Sequence, residues 1–385
     1  MLRLRGRLYL KNSVCRLNKS IYGLKQASRQ WNIKLSEILL RDGFIQSTTD
    51  NSLFIKNSGS SVIVILIYVD DMILIGNDAL LLQQTKTNLQ THFKIKDLGP
   101  VRFFLGIEIA RASSGIHLNQ RKYTLELLEE YGLLGAKPLA IPMDTKAKLG
   151  LESGTPIVYA SFYRQLIGKL IYLSVTRPDI SFAVQKLSQY MTAPHTDHLQ
   201  AAFRVLCYLK LAPSQGLWYS ASSSVTLSAY SDADWASCLD SRRSIIGYCV
   251  FLGSSLVSWK AKKQATVSRS SSESEYRALA QTSCELLWLS ALLKELHISC
   301  PQPFTIFCDN QSALHLTNNP VHHERSKHIE LDCHFIRDHI KSGLLKPMHV
   351  STTHQLAHLL TKPLPSDHFQ YLLSKMGIQN LCSPS

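Results

Sequence analysis

The chain has 385 residues, 45% of them apolar and 18% charged, with a formal net charge of +14. That length suits two or three domains, and the composition excludes both a disordered chain and one built for the bilayer. The longest apolar run, residues 62–68, is far short of a membrane span. Nine cysteines without a CxxC pair argue against a disulfide framework or a zinc ribbon and fit a reducing compartment.

The excess charge points to a polyanionic partner such as nucleic acid. Nine of the fourteen excess positives precede Glu37, with no acid among them, which leaves +5 for the remaining 349 residues. This Arg-rich head superficially matches an organellar transit peptide, but residues 21–31 already read as part of a folded domain. The compartment stays open, with cytoplasm and nucleus expected.

Helical spacing of Ile33, Leu35, Ile38 and Leu39 predicts a helix over 31–40 that stops near Gly43. Strands are predicted at 53–56 and on either side of Asp70 and Asp71. A helix over 80–93, a strand over 101–110, a short strand at 116–118 and a helix over 122–131 follow. This alternation is that of an α+β domain with an antiparallel sheet.

Pro138, Pro142 and Pro156 mark a linker, and three helices at 159–175, 178–191 and 198–210 form a small helical segment. After a serine-rich loop, strand 225–232 alternates, with Val225, Leu227 and Ala229 on one face and Tyr230 and Asp232 on the other. Strands at 245–252 and 256–260, a long helix over 273–296, a strand at 304–308, helices at 311–316 and 328–340 and a strand at 345–350 complete a mixed α/β layer. A short helix and a polar tail end the chain. Trp218, Trp235 and Trp288 are expected in the core.

Asp70 and Asp71 sit between two apolar runs, where bare carboxylates are costly unless a cation neutralises them; an Asp-Asp hairpin turn is the plainer alternative. Asp232, Glu275 and Asp309 each fall where an element meets a loop. Three carboxylates from separate elements can hold paired Mg²⁺ for phosphodiester cleavage. Each also has a structural reading: Glu275 in a capping box with Ser272, Asp309 as a helix N-cap, Asp232 as a turn residue.

The ordered motifs add to this. IYGLKQAS (Ile21 to Ser28), YVDD (Tyr68 to Asp71) and FFLG (Phe103 to Gly106) resemble the reverse transcriptase of copia-type retrotransposon Pol polyproteins. YRQLIGKLIYL (from Tyr163) and TRPDI (from Thr176) are similar to the segment that follows it there. SDADWA (from Ser231), SESEY (from Ser272), CDNQSA (from Cys308) and QLAHLLTKP (from Gln355) resemble that family's ribonuclease H region. The resemblance implies a partial polymerase palm over 1–145, a helical thumb or connection over 146–222, a ribonuclease H-like mixed sheet with flanking helices over 223–365 and a C-terminal tail over 366–385.

It also implies roles. Gly23 and Gln26 would lie beside the templating pocket, and Phe104, Leu105 and Gly106 would hold the primer end. Asp70 and Asp71 would bind the polymerase metals. Asp232, Glu275 and Asp309 would bind the ribonuclease metals; Glu275 is preferred to Glu273 because Ala278 follows it by three. The implied cofactor is Mg²⁺ or Mn²⁺. The implied partners are an RNA–DNA hybrid and an RNA or DNA template-primer, with no membrane and an open oligomeric state.

Three departures qualify the resemblance. Ser28 stands where the family usually has proline. The palm's third carboxylate, expected upstream of IYGLKQAS, has no counterpart, so the chain reads as N-terminally truncated and without polymerase activity. His358 stands where the family's fourth ribonuclease carboxylate falls. Imidazole suits Mn²⁺ or Zn²⁺ better than Mg²⁺, so a weakened nuclease partly rescued by Mn²⁺ is expected.

The expected function is thus metal-dependent hydrolysis of RNA in RNA–DNA hybrids. The alternatives are a catalytically inactive nucleic-acid-binding remnant and a gene remnant that does not fold stably. Lys260, Lys262 and Lys263 beside Trp259 are candidates for tracking phosphates, or a solvated strand end. His322, His323, His328, Cys333 and His334 match no standard zinc spacing.

Overall fold

The computed structural model describes residues 21, 23–318 and 330–381. The basic head, Tyr22 and the histidines at 322, 323 and 328 lie outside the described residues. The chain forms two compact units that divide between Leu98 and Gly99.

The first unit runs α1 (Ala27–Arg41), β1 (Ile45–Gln46), β2 (Leu53–Ser58), β3 (Ser61–Tyr68), β4 (Asp71–Gly76) and α2 (Ala79–His92). Its four strands form one antiparallel sheet in the order β1-β2-β3-β4. Alternation along β3 sends Ile63, Ile65 and Ile67 into a core with Phe54 and with Leu35 and Leu39 of α1. Asp78 caps α2, its Oδ1 accepting the N–H groups of Leu80 and Leu81 at 2.9 and 3.1 Å.

The second unit begins with β5 (Phe103–Phe104), β6 (Ile107–Ala112), β7 (Gly115–Asn119) and α3 (Arg121–Glu130). Then come α4 (Ala160–Leu173), a 3₁₀ turn at Pro178–Ile180, α5 (Ser181–Ser188), α6 (Thr196–Leu211) and β8 (Gln215–Ser220). The chain continues through β9 (Leu227–Asp234), β10 (Ile245–Leu252), β11 (Ser255–Lys263), α7 (Ser271–Glu295), β12 (Phe304–Cys308), α8 (Gln311–Asn318) and α9 (Glu330–Lys341). It closes with β13 (Leu345–His349), 3₁₀ turns at Thr352–His354 and Leu356–Leu360, α10 (Ser366–Lys375) and β14 (Ile378–Asn380).

Two five-stranded sheets result. One is antiparallel, in the order β14-β8-β7-β6-β5; the other is mixed, in the order β11-β10-β9-β12-β13. In the mixed sheet β9, β10 and β11 are antiparallel, whereas β12 runs parallel to both β9 and β13. Leu227, Ala229, Tyr248 and Val250 face α7 and share its core. The opposite face, with Cys249 and Phe251, packs on the helices α4 to α6 and the 356–364 segment.

The structure corrects several sequence expectations. Residues 101–110 are two strands rather than one, because Leu105 (φ 48°) and Gly106 (φ 77°) turn the chain back between β5 and β6. A short strand, β8, follows α6 and pairs with β7. Residues 366–381 are tied into the unit: Phe369 and Leu372 of α10 are core, and β14 pairs with β8. Trp235 and Trp288 are 48% and 42% exposed rather than core. Trp235 lies just past the end of β9, its indole N–H donating to the Ser268 carbonyl at 2.9 Å.

Candidate metal centre

Parallel pairing of β9 with β12 places two carboxylates side by side. Tyr230 is in register with Phe307, and their rings stack at 4.8 Å. Two residues further along each chain stand Asp232 and Asp309, on the same sheet face by strand alternation. The 3₁₀ segment Leu356–Leu360 and the two residues after it lie across that face. Gly247, paired with Asp232, makes room: a Cβ there would meet Thr361 Cγ2 at 2.7 Å and Leu360 Cβ at 2.8 Å. The Thr361 hydroxyl therefore reaches Asp232 and donates to its Oδ2.

His358 and Lys362 come from the same segment. His358 Nε2 lies 3.3 Å from Asp232 Oδ1 and 3.3 Å from Asp309 Oδ2. It straddles the two oxygens without a well-aligned hydrogen bond to either. Lys362 Nζ lies 3.4 Å from Asp232 Oδ2. The Thr352 hydroxyl donates to Asp309 Oδ2 at 3.0 Å, and Gln355 Nε2 donates to the Ser231 carbonyl at 3.0 Å.

Glu275 arrives from the second turn of α7. The structure moves the helix cap off it. Ser270 is the N-cap, its Oγ accepting the Glu273 N–H at 3.2 Å; the Glu273 carboxylate accepts the Arg269 N–H at 2.8 Å and pairs with Arg277 at 3.0 Å. Glu275 is left facing the centre, with the Cys308 thiol donating to its Oε2 at 3.9 Å. Asp309 is likewise not the cap of α8, since Asn310 Oδ1 accepts the Ala313 N–H at 3.0 Å. Asp232 stands inside β9 and not in a turn.

The electrostatics follow from crowding like charges in a buried place. Burial, then the charges of Asp232 and Asp309, push the Glu275 carboxyl well above the usual range. Burial also opposes ionisation of Asp232 and Asp309, yet His358, and for Asp232 also Lys362, outweigh it and hold both below the usual range. The same contacts raise His358 and Lys362 against the pull of burial.

Two overlapping donor sets emerge: Asp232, Asp309 and His358, and Glu275, Cys308 and Asp309. In each, the ligand atoms lie within 4.8 Å of one another. Twice a metal–oxygen bond spans about that distance, so these residues fit a divalent cation, and the repulsion at Glu275 is what such a cation relieves.

The remaining sequence candidates lie elsewhere. Asp70 and Asp71 are exposed at the β3–β4 hairpin, where Val69 has φ 52°, and join no three-ligand group among the described residues. Gly23 (φ 88°) and Gln26 precede α1. Phe104, Leu105 and Gly106 form the β5–β6 turn, with the Tyr172 hydroxyl donating to the Leu105 carbonyl. Lys260 and Lys262 are exposed on β11, but Lys263 turns to the other face and donates to Gln189 at 2.8 Å. Cys333 is buried in the α7 core, and His334 lies near Glu330. Sequence reasoning did not single out Cys308, Thr352, Thr361 or Lys362. All but Thr352 fall inside the motifs CDNQSA and QLAHLLTKP, which was the available signal.

Residues 9–145 match the family described as reverse transcriptase (RNA-dependent DNA polymerase). The chain is 48% identical over 367 residues to the retrovirus-related Pol polyprotein from transposon RE1 of Arabidopsis thaliana, covering 95% of this chain and 25% of that protein. It is 49% identical over 365 residues to the corresponding RE2 polyprotein, with the same coverages. Against a putative transposon Ty5-1 protein of Saccharomyces cerevisiae, 30% identity extends over 71% of this chain and 90% of the relative. The chain belongs to the copia-type retrotransposon Pol polyprotein family. It spans about a quarter of the length of the RE1 and RE2 polyproteins.

Proposed function

We propose that this chain is the reverse transcriptase–ribonuclease H portion of a Pol polyprotein, and that its working centre is a metal-dependent nuclease for RNA in RNA–DNA hybrids. The observation that carries the reading is the convergence of Asp232, Asp309 and Glu275, from β9, β12 and α7, at one end of the mixed sheet. The strand order β11-β10-β9-β12-β13, with α7 packed on one face, supports a ribonuclease H-like assignment for residues 223–365. The earlier residues, to 145, are assigned to a polymerase palm, and 146–222 to a helical thumb or connection.

A bound pair of divalent cations would supply an activated water and stabilise the leaving oxygen of a scissile phosphodiester. Asp232, Asp309 and Glu275 would hold them. Thr361 and Thr352 fix the rotamers of Asp232 and Asp309 through hydroxyl hydrogen bonds. Lys362 is 30% exposed beside Asp232 and offers a positive charge to an incoming phosphate. Lys260 and Lys262 offer two more.

The direct test is cleavage of a labelled RNA–DNA hybrid by the full chain in Mg²⁺ or Mn²⁺, with Asp232→Asn as control. Activity lost in the variant is expected; equal background from both proteins would overturn the reading. A second reading, a nucleic-acid-binding remnant without catalysis, is favoured by one observation: His358 and Lys362 already place two basic groups against Asp232. Hybrid binding retained with no cleavage in any divalent ion would establish it. Polymerase activity at Asp70 and Asp71 draws less support, because no third ligand joins them among the described residues.

A further inference from the structure

Two atoms of the centre are softer donors than carboxylate oxygen, and they flank Asp309 in two different ligand sets. His358 Nε2 is the first. Its side chain is 2% exposed, the nitrogen lies 3.3 Å from oxygens of both Asp232 and Asp309, and it makes an aligned hydrogen bond to neither. This buried nitrogen is held by charge attraction without an aligned hydrogen bond, and it is aimed at the space between two carboxylates. The second is the Cys308 sulfur, within 4.8 Å of donor oxygens of Glu275 and Asp309. Cys308 is fully buried at the end of β12, so its position is set by the strand and not by a free rotor.

These donors discriminate between cations. Mg²⁺ is a hard ion that takes oxygen ligands in near-octahedral geometry and keeps several waters. Imidazole and thiolate favour later transition dications, with affinity rising along the first-row series towards copper and zinc. All four carboxylate and soft-donor partners of Asp309 can draw on it, so an ion seated in either set competes for the same residue.

We infer that this centre binds zinc-class dications in preference to Mg²⁺, His358 serving as nitrogen ligand in the set with Asp232 and Asp309, and Cys308 as sulfur donor in the set with Glu275 and Asp309. The inference rests on the metal reading proposed above and specifies its ion. Zinc would then occupy Asp309 at the expense of Mg²⁺ and hold the nuclease in check.

The experiment uses the full chain stripped with chelator. Calorimetry measures Zn²⁺ and Mg²⁺ binding, and Co²⁺ serves as a spectroscopic substitute for zinc. Zinc is expected to bind at least about tenfold tighter than Mg²⁺, and bound Co²⁺ to show a near-ultraviolet sulfur-to-cobalt band that Cys308→Ser removes. His358→Asp is expected to weaken zinc at least about tenfold, since even outer partners of metal ligands are worth that much, and to strengthen Mg²⁺. Circular dichroism checks that each variant is folded, and the wild-type comparison needs no variant. Mg²⁺ binding as tightly as zinc, or a cobalt spectrum without the sulfur band, would overturn the inference while leaving the nuclease reading intact. No binding of any divalent ion would overturn both.

Discussion

Arg177 and Asp179 form a charge pair with essentially no solvent access, at 1% and 0% exposure. Arg177 Nε donates to Asp179 Oδ1 at 3.0 Å and Nη2 to Oδ2 at 2.7 Å, while Nη1 donates to the Ala212 carbonyl at 3.0 Å. The Tyr208 hydroxyl and Gln215 Nε2 also donate to Asp179 Oδ2, at 2.6 and 2.8 Å. Replacing Arg177 by Met keeps most of the volume but leaves the carboxylate with two neutral donors in a dry place. Breaking a buried pair on one side costs about 3–5 kcal/mol. At about 2–4 °C per kcal/mol for a unit of this size, the melting temperature should fall by roughly 6–20 °C. The double variant Arg177→Met, Asp179→Leu should recover most of that loss, because no uncompensated charge remains. The effect should also reach the candidate metal centre, since the turn at 178–180 touches the 3₁₀ segment that carries His358. Calorimetric melting of the three variants is the assay. A single variant that melts within about 1 kcal/mol of wild type would show that Tyr208 and Gln215 alone satisfy Asp179, and the reasoning would be refuted.

Gly247→Ala should push Leu360 and Thr361 off the sheet. We expect a loss of about 1–3 kcal/mol from overpacking and weaker divalent-ion binding, read by denaturant titration and calorimetry; unchanged binding would mean that Thr361 does not position Asp232. Thr352→Ala removes the hydroxyl that holds Asp309 and should cost about 1–2 kcal/mol with a reduced cleavage rate and unchanged hybrid affinity. Acid should weaken the second unit through His117, whose Nε2 donates to the Gln379 carbonyl at 3.0 Å while Nδ1 faces the Asn119 amide at 3.2 Å. Burial lowers its pKa, so the unfolded chain takes up a proton first, near 6.5. Stability is whole above that pH and falls as pH drops towards the folded value, by up to about 1.4 kcal/mol per unit. His117→Gln should flatten that slope, and an unchanged slope would show that another group causes it.

Much of the architecture was legible because periodicity is strong where burial is one-sided. The alternation of β9 correctly separates Leu227 and Ala229, in the α7 core, from Tyr230 and Asp232 on the other face. What escaped notice depends on contacts distant in sequence. β8 is six residues long, and its pairing with β7 spans about a hundred positions. The turn at Leu105 and Gly106 hid inside an apolar run. The acids at 232, 275 and 309 stood out by their placement at element ends, but the plainer readings of Glu275 and Asp309 as caps could be discarded only once Ser270 and Asn310 capped instead, and that of Asp232 as a turn residue once β9 enclosed it. Cys308 resembled any core residue of an apolar strand, and Thr361 owes its contact to the gap left by Gly247.

The antiparallel sheet that opens at Phe103 is completed by Ile378–Asn380. During vectorial synthesis the ribosome has therefore to deliver nearly the entire second unit before β8 gains its last neighbour. Until then that border stays unprotected, a state in which nascent chains associate with one another. Assembly ordered by so remote a closure is slow in comparison with a locally connected hairpin stack like β1 to β4, so chaperone demand should fall on the later part of this polypeptide.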